Sequence, residues 1–113
     1  NGTDAKAVAR HEILCTLEDI VGAANQLLSP GGKLFVVHRP QRLVDLLTLM
    51  REYHIEPKRL RMVHPAAQKR ANLVLVEGAR KGGRELKMLP PLYVHDKNGA
   101  YTEEIHQIYG WSR

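Results

Sequence analysis

At Ser29-Pro30-Gly31-Gly32 the hydrophobic pattern of the chain changes period. Before it, Leu17, Ile20, Val21, Ala24, Leu27 and Leu28 recur at helical spacing from about Thr16 to Leu28. Thr16 stands where an N-cap belongs, with Asp19 three residues on. Proline cannot continue that helix, and the glycines accept backbone angles other residues avoid. After the turn, Leu34-Phe35-Val36-Val37 is an unbroken apolar run, which predicts a strand covered on both faces, as in the middle of a parallel sheet. Pro40 suits a first helical position, and Leu43, Leu46, Leu47 and Met50 give the next helix a buried stripe up to about Tyr53. Helix, strand and helix in that order point to an α/β fold.

After Ile55-Glu56-Pro57, residues Arg59 to His64 alternate as a half-covered strand does, and Pro65 to Arg70 reads as a polar loop. Ala71 to Glu77 is a second apolar strand. A connection this short makes the pair antiparallel, because a parallel return needs a crossover of a dozen or more residues. The sheet is therefore expected to be mixed. Arg80-Lys81-Gly82-Gly83 turns the chain out, and Arg80, Lys81 and Arg84 read as a solvated turn. Leu86 to Val94 with two prolines, a turn at Asp96-Lys97-Asn98-Gly99 and a short helix capped by Thr102 complete the pattern. Residues 4–14 are left undecided between a helical turn and an extended approach.

At 113 residues there is room for one small domain or a piece of a larger one. The only cysteine, Cys15, excludes an internal disulfide, and its flanks Leu14 and Thr16 predict a packed thiol rather than an activated nucleophile. The six histidines lack the spacing that would put two on one helical face, so no metal is expected. Neither Ser29 nor Ser112 sits in a nucleophile elbow, which excludes the serine hydrolases of that type. Gly31-Gly32 precedes a strand instead of following one, the wrong order for a phosphate-binding loop. No apolar stretch approaches about eighteen residues and no signal-peptide layout is present, so no membrane segment is expected and a cytoplasmic location is the default reading.

Seventeen Lys and Arg against twelve Asp and Glu leave +5, with a pI near 9.6, which favours a polyanionic partner. Lys58, Arg59 and Arg61 with Lys69 and Arg70 form a basic cluster suited to nucleic-acid phosphates, or else a solvated edge face. His38 and Arg39 stand at the carboxyl end of the buried strand, where open α/β sheets place their ligand crevice. The alternative for Arg39 is an ion pair with Asp45.

The string from Leu28 to Val37 resembles the middle of a class I S-adenosylmethionine-dependent methyltransferase. Ala9-Arg10-His11-Glu12, His38-Arg39-Pro40 with Arg42-Leu43, Lys58-Arg59-Leu60-Arg61, Leu89-Pro90-Pro91-Leu92 and Tyr101-Thr102-Glu103-Glu104 are similar to the bacterial branch around the valine-tRNA adenine N6-methyltransferase. That resemblance covers nearly the whole chain. It implies the C-terminal half of a Rossmann-like methyltransferase fold, supplying strands five to seven, with residues 1–83 in that half and 84–113 as an extension packed on it. The family's glycine-rich turn and Asn-Pro-Pro-Tyr motif are missing from the chain, so no catalytic residue is assigned and no S-adenosylmethionine site is expected here, the cofactor belonging to the full-length protein.

The resemblance further implies a substrate cleft wall from Arg10, His11, His38 and Arg39, and phosphate contacts from Lys58, Arg59, Arg61, Lys69 and Arg70. The implied partners are tRNA or other RNA and the missing N-terminal half. The reading implies that the isolated chain is inactive. The Leu34–Val37 strand, left with an unpaired edge, predicts self-association. The alternatives are a basic RNA-binding module or an oligomerisation element without catalysis.

Overall fold

A computed structural model describes residues 16–110. Helix α1, Leu17–Leu27, starts where Thr16 accepts a hydrogen bond from the Asp19 amide at 3.0 Å, and Glu18 and Asp19 favour the same helix end. Leu17, Val21 and Ala24 are its buried stripe. Leu28 takes an extended conformation and Gly31 adopts φ 86°, a left-handed angle that a side chain would resist. The turn is tied to the far end of the sheet by Gly31 N to Arg80 O and Arg80 N to Gly32 O, both 2.8 Å, and by the Arg80 guanidinium donating to Leu28 O.

Strand β1 is Lys33–His38. It leads through a single 3-10 turn at Pro40–Arg42 into helix α2, Leu43–Glu52, which buries Leu46 and Met50. Strand β2, Ile55–Ala66, and strand β3, Leu73–Arg80, follow. Strand β3 lies antiparallel between β1 and β2, with Val36 opposite Val76 and Leu60 opposite Val76 on the other side. Strands β1 and β2 therefore run parallel without touching. The short β4, Lys87–Met88, and β5, Leu92–His95, both add parallel to β2. Helix α3, Glu103–Tyr109, is capped by Thr102 and ends on Gly110 at φ 65°.

The expected helices, the antiparallel pair and the mixed sheet are all present, with Pro40 opening a 3-10 turn and the α-helix itself starting three residues later. The surroundings of β1 differ from the expected middle of a parallel sheet, since its neighbour β3 is antiparallel. Leu34 and Val36 face α1 and α2, but Phe35 is 69% and Val37 60% exposed, and among the described residues β1 pairs only with β3. An apolar run signals burial by whatever covers it, and the described residues supply cover for one face only. β2 is also longer than its alternating stretch, running through Pro57 and Pro65. A register irregularity lies between Pro57 and Arg59, where β4 has not yet joined, and the pairing with β5 skips Pro65. Proline is tolerated in a strand at such positions, where no ladder donor is required.

Two apolar clusters hold the layers together. Val21, Leu46, Met50, Ile55, Val74 and Val76 are essentially inaccessible between the helices and the sheet. On the opposite face, Ile105 of α3 covers Val63 and Leu92, with Leu75 and Val94 alongside. That second cover stops short of β1. Glu56, 8% exposed, is the one buried charged residue described. Its carboxylate is gripped by the Arg51 guanidinium at 2.5 and 3.1 Å, which holds its pKa below the usual carboxylate value, with Arg84 and Lys58 adding in the same direction against the effect of burial.

Candidate functional site

The carboxyl ends of β1 and β2 and the loop from β2 to β3 occupy one end of the sheet. His38 is the last residue of β1, opposite Val74 at the start of β3, and Asn72 N donates to Val63 O at 2.9 Å. Lys69 and Arg70, both exposed, ride on that loop and therefore share this end with His38 and Arg39. His38 Nδ1 accepts from the Arg39 amide at 2.9 Å. This leaves Nε2 as the proton-bearing nitrogen of a neutral ring, pointing a donor away from the backbone. The His64 ring packs against Tyr93 at 5.2 Å, and its Nδ1 lies 2.8 Å from Lys69 O, anchoring the loop.

Arg39 is exposed and makes no ion pair with another described residue. The pairing with Asp45 that the sequence offered goes instead to Arg42, at 2.9 Å, because those two stand one turn apart at the start of α2. A guanidinium at the carboxyl end of β1, with a donor imidazole beside it, is suited to an anionic ligand. Arg10 and His11 lie outside the described residues.

The five basic residues read as one cluster are divided by the structure. Lys69 and Arg70 share the carboxyl end with His38. Lys58 lies towards the amino end, where its Nζ donates to Gly83 O at 2.5 Å, and Arg59 pairs with Glu77 at 3.4 Å. Arg61 is held as a structural tie, donating from Nε to Pro90 O at 2.9 Å and from a terminal nitrogen to Glu104. It joins β2 to the segment before β5 and to α3. At the amino end, Lys58 and Arg59 are joined by Lys33, opposite Ala79, and by Lys87, opposite Arg59. Those companions come from separate strands, so no local run in the sequence announces them.

The Phe35–Val37 side of the sheet forms a shallow groove with Leu75 and Leu89, rimmed by Arg59, Arg61 and Glu77. The described residues contain no group of three His, Cys, Asp or Glu that would hold a metal, and no helix long and apolar enough to cross a membrane. They also do not fit S-adenosylmethionine. No described strand ends in a glycine-rich turn that opens a helix, and β1 ends on His38, not on a carboxylate that would take the ribose hydroxyls.

No family model matches the chain. A tRNA1(Val) (adenine(37)-N6)-methyltransferase of Porphyromonas gingivalis is 30% identical over 106 residues, covering 91% of this chain and 41% of that protein. Its counterpart in a second strain matches to the same extent. The crystal structure of a predicted O-methyltransferase from Agrobacterium tumefaciens superposes with a TM-score of 0.74, at 21% identity, over 83% of this chain and 45% of that one. The chain has part of a methyltransferase fold. It spans less than half the length of the curated relatives it matches. Within the methyltransferase fold, β1, β3 and β2 are three adjacent strands with α1 and α2 packed on one face. The resemblance to S-adenosylmethionine-dependent methyltransferases holds in sequence and in architecture.

Proposed function

We propose that this chain is the C-terminal part of an S-adenosylmethionine-dependent methyltransferase acting on the N6 amine of an adenine in tRNA. The observation that carries this reading is the similarity to tRNA adenine N6-methyltransferases along 91% of the chain. The position of Arg39, Lys69 and Arg70 at the carboxyl end of the sheet supports it, since that is where doubly wound sheets receive their ligands. Overall, such a reaction moves a methyl group from the sulfonium of the donor to the exocyclic nitrogen, which gives up a proton. Residues of the described part enter only through the substrate. Arg39, Lys69 and Arg70 would take RNA phosphates and His38 would fix the Arg39 backbone, with Arg10 and His11 completing the wall. Cofactor binding falls to the additional length that the relatives possess, and residues 1–83 with the extension 84–113 dock against it. A cytoplasmic location fits a tRNA substrate.

The test has two arms. A polypeptide of the relatives' length is expected to move a labelled methyl group from S-adenosylmethionine to tRNA, and R39Q/K69Q/R70Q is expected to raise KM for the RNA with little change in kcat. Calorimetry on the 113-residue chain is expected to show no micromolar S-adenosylmethionine binding. Such binding would overturn the assignment of the cofactor site, and absence of RNA methylation by the longer polypeptide would overturn the reaction.

A second reading concerns the isolated chain alone. The edge of β1 that no described strand pairs with, beside exposed Phe35 and Val37, favours self-association. Sedimentation showing a monomer at high concentration would remove it.

A further inference from the structure

The amino-terminal end of the sheet, opposite the proposed RNA cleft, gathers a larger positive charge than the cleft itself. Lys33 opens β1, Lys81 follows the last residue of β3, Arg84 faces Glu56, and Lys87 stands beside Arg59. All four are exposed, and none is ion-paired among the described residues. Two of the carboxylates at this end are engaged, Glu56 by Arg51 and Glu77 by Arg59. Lys58 and Arg80 donate to carbonyls and keep their charge. Six cations against Glu52 and Glu85 leave a local excess of four, most of the chain's +5. The backbone holds this arrangement in place. His54 and Lys81 both adopt left-handed angles, φ 62° and 58°, and the Lys81 amide donates to His54 O at 2.7 Å, locking the turn after β3 against the entry to β2.

We infer that this end is a second phosphate-binding surface for RNA, carried by Lys33, Lys81, Arg84 and Lys87. The inference rests on the RNA reading above and extends it to a surface the cleft does not include. Strand β3 separates the two ends by seven residue steps, about 23 Å at about 3.3 Å per residue. An RNA stem is an A-form helix rising about 2.8 Å per base pair, so a stem of roughly eight base pairs spans the two surfaces and a shorter one reaches only one. Exposed lysines and arginines on separate strands offer no base-reading geometry. Their contribution is affinity and register without sequence preference.

The test measures binding of a tRNA transcript and of a hairpin with about four base pairs, at several salt concentrations, to the 113-residue chain and to K33Q/K81Q/R84Q/K87Q. Equal urea midpoints establish that the variant is folded. Wild type is expected to bind the tRNA with a steep salt dependence. The fourfold variant is expected to bind it at least tenfold more weakly and to flatten the log–log salt slope by about 3.6, at roughly 0.9 for each lost contact. The short hairpin is expected to gain less from the same four side chains. Unchanged tRNA affinity and slope in the fourfold variant, with weakened binding in R39Q/K69Q/R70Q, would overturn the second surface while leaving the RNA reading intact. Binding by wild type to phosphatidylserine vesicles and not to tRNA would also overturn it. Methyl transfer by the longer polypeptide judges the RNA reading separately.

Discussion

Gly78 sits in β3 with its α-carbon turned towards the helices, and replacing it with alanine tests how closely they approach. A β-carbon there would lie 2.3 Å from Met50 Cε, 2.8 Å from Ile55 Cγ2 and 3.3 Å from Glu56 O. Ordinary carbon contacts begin at about 3.5 Å, so the Met50 methyl would have to retreat by more than about 1 Å and Ile55 by most of that. The methionine terminus is flexible, but Met50 and Ile55 are both wholly buried, and the Ile55 Cγ2 branch can move only through a stiff χ1 rotation or with its backbone. Overpacking of this kind costs about 1–3 kcal/mol, offset by about 0.5–1 kcal/mol from the reduced freedom of the unfolded chain. Gly78→Ala is therefore expected to lose about 1–2 kcal/mol. In urea, at about 1–3 kcal/mol per molar, that moves the midpoint down by about 0.5–1.5 M. Met50→Ala alone loses about 2–5 kcal/mol, but the pair should couple favourably by about 1 kcal/mol or more, because the truncated side chain makes room for the new methyl. A Gly78→Ala midpoint equal to wild type, or strictly additive losses in the double variant, would refute the packing described here.

Other outcomes follow from the same structure. Gly22→Ala in α1 should stabilise by up to about 1 kcal/mol, since its β-carbon would meet Tyr53 Cε1 at an ordinary 3.6 Å, and an unchanged or lowered melting temperature would count against that. Glu56 has a folded pKa below its ordinary 4.5, so its contribution is complete above that value and lost as pH falls through the lower folded value. Acid titration of Glu56→Gln should accordingly show a shallower loss of stability than wild type. Tyr53 works in the opposite direction: its hydroxyl donates to Glu18 at 2.7 Å, which raises its pKa above 10.0, with burial adding to the rise. Its contribution is present below the unfolded value and disappears as pH climbs through the folded one, so Tyr53→Phe should flatten the alkaline limb of stability. Arg61→Met should loosen α3 and the strand before it, seen as faster amide exchange at Ile105 with little change in the Val21 and Leu46 core.

Much of the architecture was legible because local chemistry and fold agree. Thr16, Pro30, Pro40, Thr102 and Gly110 mark helix ends where sequence rules place them. The short link after His64 implied an antiparallel neighbour, and β3 is one. That the described residues cover only one face of β1 was not legible, since an apolar run reports what a strand requires and not what covers it. Of the candidate site, His38 and Arg39 adjoin in sequence, as do Lys69 and Arg70, but that the two pairs share one end of the sheet follows only from the fold. The amino-end charges come from four places along the chain and meet only through register. Arg61 shows the reverse: it sits in a basic run, yet its guanidinium is consumed by Pro90 and Glu104.

The placement of β3 sets the order in which this chain can become a sheet. Until residues 73–80 are available, β1 and β2 are parallel ribbons about 10 Å apart with an empty lane between them, and neither can satisfy the other's backbone. The last long strand is thus a keystone, and its arrival turns two helix-backed pieces into one cooperative body. A released polypeptide truncated at Ala66 would accordingly remain open to proteases, while one extended through Arg80 would close.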